Sequence, residues 1–151
     1  MESYMTYSIK VKHYNHIFDA TTKLYRNALE FFLQVCLENW EQLKELSSQK
    51  ARVNCIESLT VQTKRNPAPA YDFSIEFYKF PCYLRRAAIA EALGKASSYF
   101  SNLQNWENAD PATRGNKPSI PQVGYIYPVL YRENMVVRTG MYTAASELPT
   151  T

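Results

Sequence analysis

The sequence predicts an α+β chain, with three helices inserted between strands that come from the two ends and form one small, incomplete β-structure. Three observations predict this. Near the N-terminus, "YMTYSIKVKHY" alternates apolar and polar residues with the period of a strand. Through the middle of the chain, large apolar residues recur at helical spacing in separate runs. Near the C-terminus the period returns to two in "YIYPVLYRENMVVRTGMYTAA". Residues 1–16 and 122–151 are therefore expected to form the β-part, and residues 17–121 the helical insertion.

In the first strand Tyr7, Ile9 and Val11 point one way, and Ser8, Lys10 and Lys12 the other. The first helix follows, with Asp19 as its expected N-cap and Ile17 and Phe18 available for a hydrophobic staple. Its apolar stripe is Tyr25, Leu29, Phe32, Cys36, Trp40 and Leu43, which reads as core. "SSQKARVNCIESLTVQTK" is a second, weaker helix facing inward with Val53, Ile56 and Leu59 or Thr60. Pro67 and Pro69 stop it, because neither can continue a helical hydrogen-bond ladder. "SIEFYKF" is a short extended or 3₁₀ segment leading to Pro81, a natural first-turn residue for the third helix.

That helix runs from Arg85 to the neighbourhood of Trp106–Asn108. Ile89, Leu93, Ala96, Phe100 and Leu103 share one face, and Glu91, Lys95, Ser98 and Asn102 the other. "ENADPATRGNKPSIP" is a polar, turn-rich loop carrying Arg114 and Lys117. Two strands are expected beyond it around a turn at "REN", with Pro128 favouring an edge position. Tyr4–His13 should pair in one sheet with Tyr125–Tyr131 and Met135–Thr139, since a lone alternating strand must find partners.

At 151 residues, 46% of them apolar and 21% charged, the chain is long enough for one core and is not of disordered composition. The net charge of +3 implies no large basic field. With only four glycines and no phosphate-loop pattern, nucleotide cradles of the glycine-rich kind are excluded. Cys36, Cys55 and Cys82 are too widely spaced for a disulfide framework or a zinc knuckle, which fits a reducing compartment. No signal-peptide core or membrane-length apolar run occurs, so the plain expectation is a cytoplasmic protein away from membranes.

No constellation carries catalytic chemistry. His13 and His16 lie three apart at the strand-to-helix joint without a third ligand at a useful spacing, and read as a solvated joint. Glu38, Glu41 and Glu45 fall on the polar side of the first helix. Asp72 and Glu76 flank a short apolar run, with nothing to mark them as acid and base. The expectation is no enzyme, no metal and no cofactor.

Binding is better supported. Basic residues interleave with tyrosines and small polar groups: Lys10 and Lys12 on the first strand, then Lys79, Tyr83, Arg85 and Arg86 at the start of the third helix. Ser97, Ser98, Tyr99, Asn102 and Asn105 follow along it, and Arg114, Lys117 and Arg132 come after. Arginine, asparagine and serine side chains suit phosphate oxygens and base edges, and tyrosine offers a stacking face. Solvation alone also accounts for such residues. For Arg85, at the edge of the apolar stripe, a further outcome is a packed stem with its head paired to Asp72 or Glu76.

The string "NPAPAYDFSIEFYKFPCYLRRAAIAEALGKASSYFSNLQNWE", followed by "GNKPSIP" and "YPVLYRENM", resembles the N-terminal half of the TnpB-like (OrfB) transposon proteins, relatives of the type V CRISPR effectors. The likeness runs from Val61 to Val137. It implies that the outer strands build an oligonucleotide-fold-like wedge barrel and the helices a recognition insertion. Together these would hold a structured guide RNA and read a short motif in duplex DNA. In that family cleavage belongs to a later RuvC-like domain with three acidic residues and metal ions, followed by a zinc ribbon. This sequence carries neither, so no catalytic residue transfers, and a RuvC-like portion would have to be supplied separately. The resemblance thus implies a truncated nucleic-acid-binding module whose candidate contacts are Lys10, Lys12, Lys79, Tyr83, Arg85, Arg86, Ser97, Ser98, Asn102, Asn105, Lys117 and Arg132. The alternative is a helical protein-interaction or oligomerisation domain that binds no nucleic acid.

Overall fold

A computed structural model describes the chain at residue 8, over residues 16–129, and along 135–138 and 141–144. Helix α1 spans Ile17–Glu38 and is followed by a short α2, Trp40–Lys44. The sequence reads as one helix through this point, but Asn39 breaks it. Its side-chain amide donates to the Val35 carbonyl at 2.8 Å alongside its own backbone N–H at 3.1 Å, and φ and ψ move to −109° and 17°. The break turns Trp40 onto Phe100, where the rings stack 5.1 Å apart with planes 5° from parallel. At the other end the cap position is His16 rather than Asp19; Asp19 sits in the first turn and accepts from His16 Nδ1 at 3.1 Å.

Helix α3, Gln49–Thr60, begins at Ser48, whose hydroxyl accepts from the Ala51 amide at 3.1 Å. Val53, Ile56 and Thr60 are buried, and the Thr60 hydroxyl is satisfied by the Ile56 carbonyl at 2.8 Å. The proline segment leads to a single helical turn, α4, Phe73–Glu76, capped by Asp72 on the Ser74 amide at 2.9 Å. Lys79 then takes a left-handed conformation, φ 56°, and reverses the chain into Pro81. Helix α5, Cys82–Asn108, has 27 residues and is therefore roughly 40 Å long.

Three long helices form the core. Tyr25 of α1 lies beside Glu91 of α5, and beyond the break Trp40 of α2 stacks on Phe100 of α5. Glu57 of α3 meets both Arg85 and Arg86 of α5, and Asn54 meets Arg86, so α3 packs against the first turns of α5. Phe32 fills the centre, 4.7 Å from Phe73 and 5.4 Å from Phe31, and Phe77 stacks on Phe73 at 4.5 Å. Ala88, Ile89, Ala92, Leu93 and Ala96 complete the α5 side of this core, as their spacing requires.

The strands correct the expected fold class. Among the described residues the protein is helical, and the β-structure is one antiparallel hairpin: β1, Met135–Arg138, and β2, Met141–Ala144. No oligonucleotide-fold-like barrel forms there. The pairing Arg138↔Met141 leaves Thr139 and Gly140 between the strands, so both come from what the sequence presents as a single run, and "REN" is not their connection. Residues 125–129 of the expected strand Tyr125–Tyr131 form no strand: Tyr125 is at a bend and the rest run without ladder pairing. Their period of two has another cause: Ile126 packs on the helical core while Tyr125, Tyr127 and Val129 face solvent. Pro128 also removes an amide that a ladder would use. The expected strand Tyr4–His13 lies outside the described residues.

Candidate nucleic-acid interface

The polar side of α5 is built from small residues. Ala87, Ala90, Gly94 and Ser98 follow one another along it, and a Cβ added at Gly94 would meet nothing within 4 Å. Beside them the segment after α5 returns along the helix and supplies a second wall of Pro118, Ser119, Pro121 and Val129. Between the walls runs an open groove of about 750 Å³, with Tyr25 of α1 also lining it.

The second wall is held at its start. Asp110 accepts from the Ala112 amide at 2.9 Å through its side chain, and from the Arg114 amide at 2.9 Å through its carbonyl. The Arg114 guanidinium then lies 3.9 Å from the centre of the Trp106 ring, whose indole nitrogen donates to the Gly115 carbonyl at 2.7 Å. Further on, Val123 and Ile126 pack into the core, which turns Tyr125 between them and Tyr127 beyond them outward.

Chemically the groove is mixed. Lys95 Nζ lies 3.8 Å from Glu91 Oε1, one helical turn away, and Ser98, Tyr99, Asn102 and Ser119 add hydroxyl and amide groups. Burial, and to a smaller degree the Glu91 charge, push the Tyr25 phenol above its usual range, so it stays a neutral hydrogen-bonding group. Tyr125 and Tyr127 stand 88% and 69% exposed on the segment that forms the second wall. The Arg26 guanidinium lies 5.2 Å from the Tyr125 ring centre and steadies that ring from below.

The paired arginines at the head of α5 do different work. Arg85 is 18% exposed and donates to Glu57 Oε1 at 3.3 Å. The acid is neither Asp72 nor Glu76, because α3 and not α4 packs along this end of α5. Arg86 is more open, its Nε 3.7 Å from the same Glu57 oxygen and its terminal nitrogen 3.4 Å from Asn54 Oδ1. Arg85 is thus chiefly a clamp between helices, and Arg86 is the member of the pair that faces solvent.

The other sequence-chosen residues scatter. Ser98 and Asn102 meet in the groove, and Ser97 is half-buried beside it. Asn105 and Lys117 are exposed. Lys79 is exposed with its ammonium 5.3 Å from the Tyr78 ring centre. Tyr83 is half-buried and its hydroxyl is buried without a hydrogen-bond partner, so it offers no free stacking face. Lys10, Lys12 and Arg132 lie outside the described residues. Gly94 and Lys95 in the groove, and Tyr125 and Tyr127 on the segment beside it, were not singled out from the sequence; the small residues at positions 90, 94 and 98, one turn apart on a polar face, were the readable sign of a groove.

Among the described residues no three metal-ligating side chains gather, and no helix is long and apolar enough to cross a membrane. Cys36, Cys55 and Cys82 are free thiols.

Comparison with known proteins gives this chain a family. The sequence model of the Aq_aa04 family matches residues 5–146. The chain belongs to the Aq_aa04 family. A relative in it is the "Uncharacterized protein aq_aa04" of Aquifex aeolicus (strain VF5), 32% identical over 124 residues, which are 75% of this chain and 70% of that protein. No solved structure matches. The likeness to TnpB-like proteins thus rests on the residue strings alone, and the Aq_aa04 fold is the helical one described above.

Proposed function

We propose that this Aq_aa04 protein is a nucleic-acid-binding module, acting in the cytoplasm, that receives a single-stranded or looped segment along the outer face of α5. The observation that carries the proposal is the pair of solvent-facing tyrosines, Tyr125 and Tyr127, on the segment that returns along α5 beside a groove lined by an ammonium, hydroxyls and a side-chain amide. An exposed aromatic ring contributes stacking of about 1–3 kcal/mol per base and is indifferent to sequence. Lys95, Ser98 and Asn102 are the groups that phosphate oxygens and base edges accept. Arg86, Asn105 and Lys117 extend this surface toward both ends of α5. The structured RNA and duplex DNA implied by the TnpB-like resemblance, and a separately supplied nuclease portion, belong to the same proposal.

Fluorescence anisotropy of the full chain with a labelled stem-loop RNA and with single-stranded DNA, across a salt series, tests it. Affinity should fall with salt by a slope of roughly 0.7 per phosphate contact. Lys95→Ala should reduce that slope, whereas Tyr125→Ala with Tyr127→Ala should weaken binding and leave the slope in place. Absence of binding at low salt, or binding insensitive to salt, rejects the proposal.

A further inference from the structure

A second groove, of about 420 Å³, opens between α1 and α4, away from the one just described. Its lining is Leu24, Asn27, Glu30 and Gln34 of α1, with Glu76 and Phe77 from the α4 turn and Phe31 between them. Phe31 stands edge-on to Phe77 and Phe73, at 6.0 and 5.4 Å, so the floor is a packed aromatic cluster. Leu24 is partly exposed at the rim, and Ile75, next to Glu76, is more exposed still.

The charges here are of one sign. Glu30 and Glu76 line the groove, both exposed, and neither forms an ion pair among the described residues. Arg26, one turn before Glu30, is drawn onto the Tyr125 ring instead, and from Asn27 to Gln42 the chain contains no lysine or arginine. Beyond α4 the next cation, Lys79, is turned onto the Tyr78 ring. A nucleic-acid backbone would be repelled from this surface. A cation is attracted twice, by the carboxylates and by the aromatic floor.

We infer that the α1–α4 groove is a docking site for an arginine side chain presented by a partner protein, with apolar neighbours of that arginine covering Leu24 and Ile75. Arginine fits better than lysine, because its planar guanidinium stacks on rings and forks to carboxylates, and it is weakly hydrated. The partner is a protein segment rather than a free amino acid, because the rim is apolar and the free amino acid brings a carboxylate of its own toward two others. The inference is independent of nucleic-acid binding at α5 and places the two interactions on different faces.

The test is nuclear magnetic resonance titration of the full, isotope-labelled chain with three blocked tripeptides: leucine–arginine–leucine, glycine–arginine–glycine, and leucine–citrulline–leucine. The first should give saturating shifts at Leu24, Asn27, Gln34 and Phe77 with a dissociation constant of order millimolar, the range expected of one contact. The glycine-flanked peptide should bind severalfold more weakly and the uncharged citrulline peptide at least tenfold more weakly. Glu30→Gln combined with Glu76→Gln changes only exposed side chains and should lower the affinity of the first peptide at least tenfold, with the circular dichroism spectrum unchanged. Equal binding of the citrulline peptide, equal binding by the double variant, or shifts confined to the Lys95–Asn102 groove would each overturn the inference. A concentration-dependent dimer of the unliganded chain that the double variant abolishes would also overturn it, by making the occupant a second copy.

Discussion

Arg85 of α5 donates to Glu57 of α3 across the helix interface at 3.3 Å, and both side chains are largely withdrawn from water. Arg86, one residue on, reaches the same carboxylate from the solvent side at 3.7 Å. The two adjacent arginines are therefore not equivalent. Arg85→Ala removes packed stem and head together and leaves Glu57 with one long, exposed partner. It should destabilise by about 1–2 kcal/mol, whereas Arg86→Ala should stay within about 0.5 kcal/mol. Urea unfolding of the two variants decides this, and equal midpoints would contradict the assignment of Arg85 as a clamp.

Phe32 is fully buried between Phe31 and Phe73 at the centre of the aromatic cluster. Phe32→Ala should cost about 3–5 kcal/mol, through lost burial and the cavity left behind. Phe100→Ala, which removes only the half-buried stack on Trp40, should cost about half of that. Thermal unfolding followed at 222 nm would expose an inverted order.

Gly94 lies within α5 facing the open groove, with no atom in the way of a side chain. Gly94→Ala should raise stability by about 0.5–1 kcal/mol, because glycine loses more backbone freedom than alanine in a helix. Gly94→Trp should fold but fill the groove, and so lower RNA affinity while the melting temperature holds. Undiminished RNA binding by the tryptophan variant would remove the groove from the proposed function.

Burial, assisted by nearby Cys55, pushes the Cys36 thiol up from 9.0 to about 12. The folded chain then holds this proton in a range where the unfolded chain releases it. Its contribution to stability is full below about pH 9 and is lost as pH rises from 9 toward 12. Tyr25 and Cys55, both also raised by burial, act in the same sense. Unfolding free energy should fall with alkaline pH, and less steeply in Cys36→Ala, whatever that variant's absolute stability. At pH 8, iodoacetamide should modify exposed Cys82 first and Cys36 only after unfolding. Prompt labelling of Cys36 in the native protein would refute its burial.

On the acid side, Glu38 is held below the usual carboxylate range by a hydrogen bond from the Tyr71 hydroxyl at 2.7 Å, and secondarily by Gln34. That contribution is present above the unfolded carboxylate value of 4.5 and is lost as pH falls through the lower folded value. Tyr71→Phe should move the Glu38 titration back toward its ordinary position. Carbon-detected titration of the Glu38 carboxyl measures this, and an unmoved midpoint would show that the hydroxyl is not the cause.

The sequence by itself determined that the middle of the chain is helical and which faces of its long helices are buried. Apolar residues at helical spacing have one way to be hidden at once, so Leu29, Phe32, Cys36, Val53, Ile56, Ile89 and Leu93 all lie in the core as their periodicity requires. Pro81 was legible as the start of the last helix, where it is the N-cap, but the stop of α3 was not: the helix ends at Thr60 with Val61 already extended, before Pro67 and Pro69 are reached. What depended on distant partners was not legible. The alternation in 125–129 signals an extended segment, but only the neighbouring helices decide that it packs on them instead of pairing as a strand. Asn39 interrupts a continuous pattern by leaving helical φ and ψ while its side-chain amide and backbone N–H both cap the Val35 carbonyl, an arrangement that periodicity does not register. Arginine at 85 or 86 has the same intrinsic preference for solvent and anions. It was the packing of α3 against α5 that put Glu57 beside one of them and left the other open, and it was the return of the 118–129 segment along α5 that made a groove of a row of small residues. Local chemistry fixes what a residue is able to do, and only the tertiary arrangement supplies the partner with which it does it.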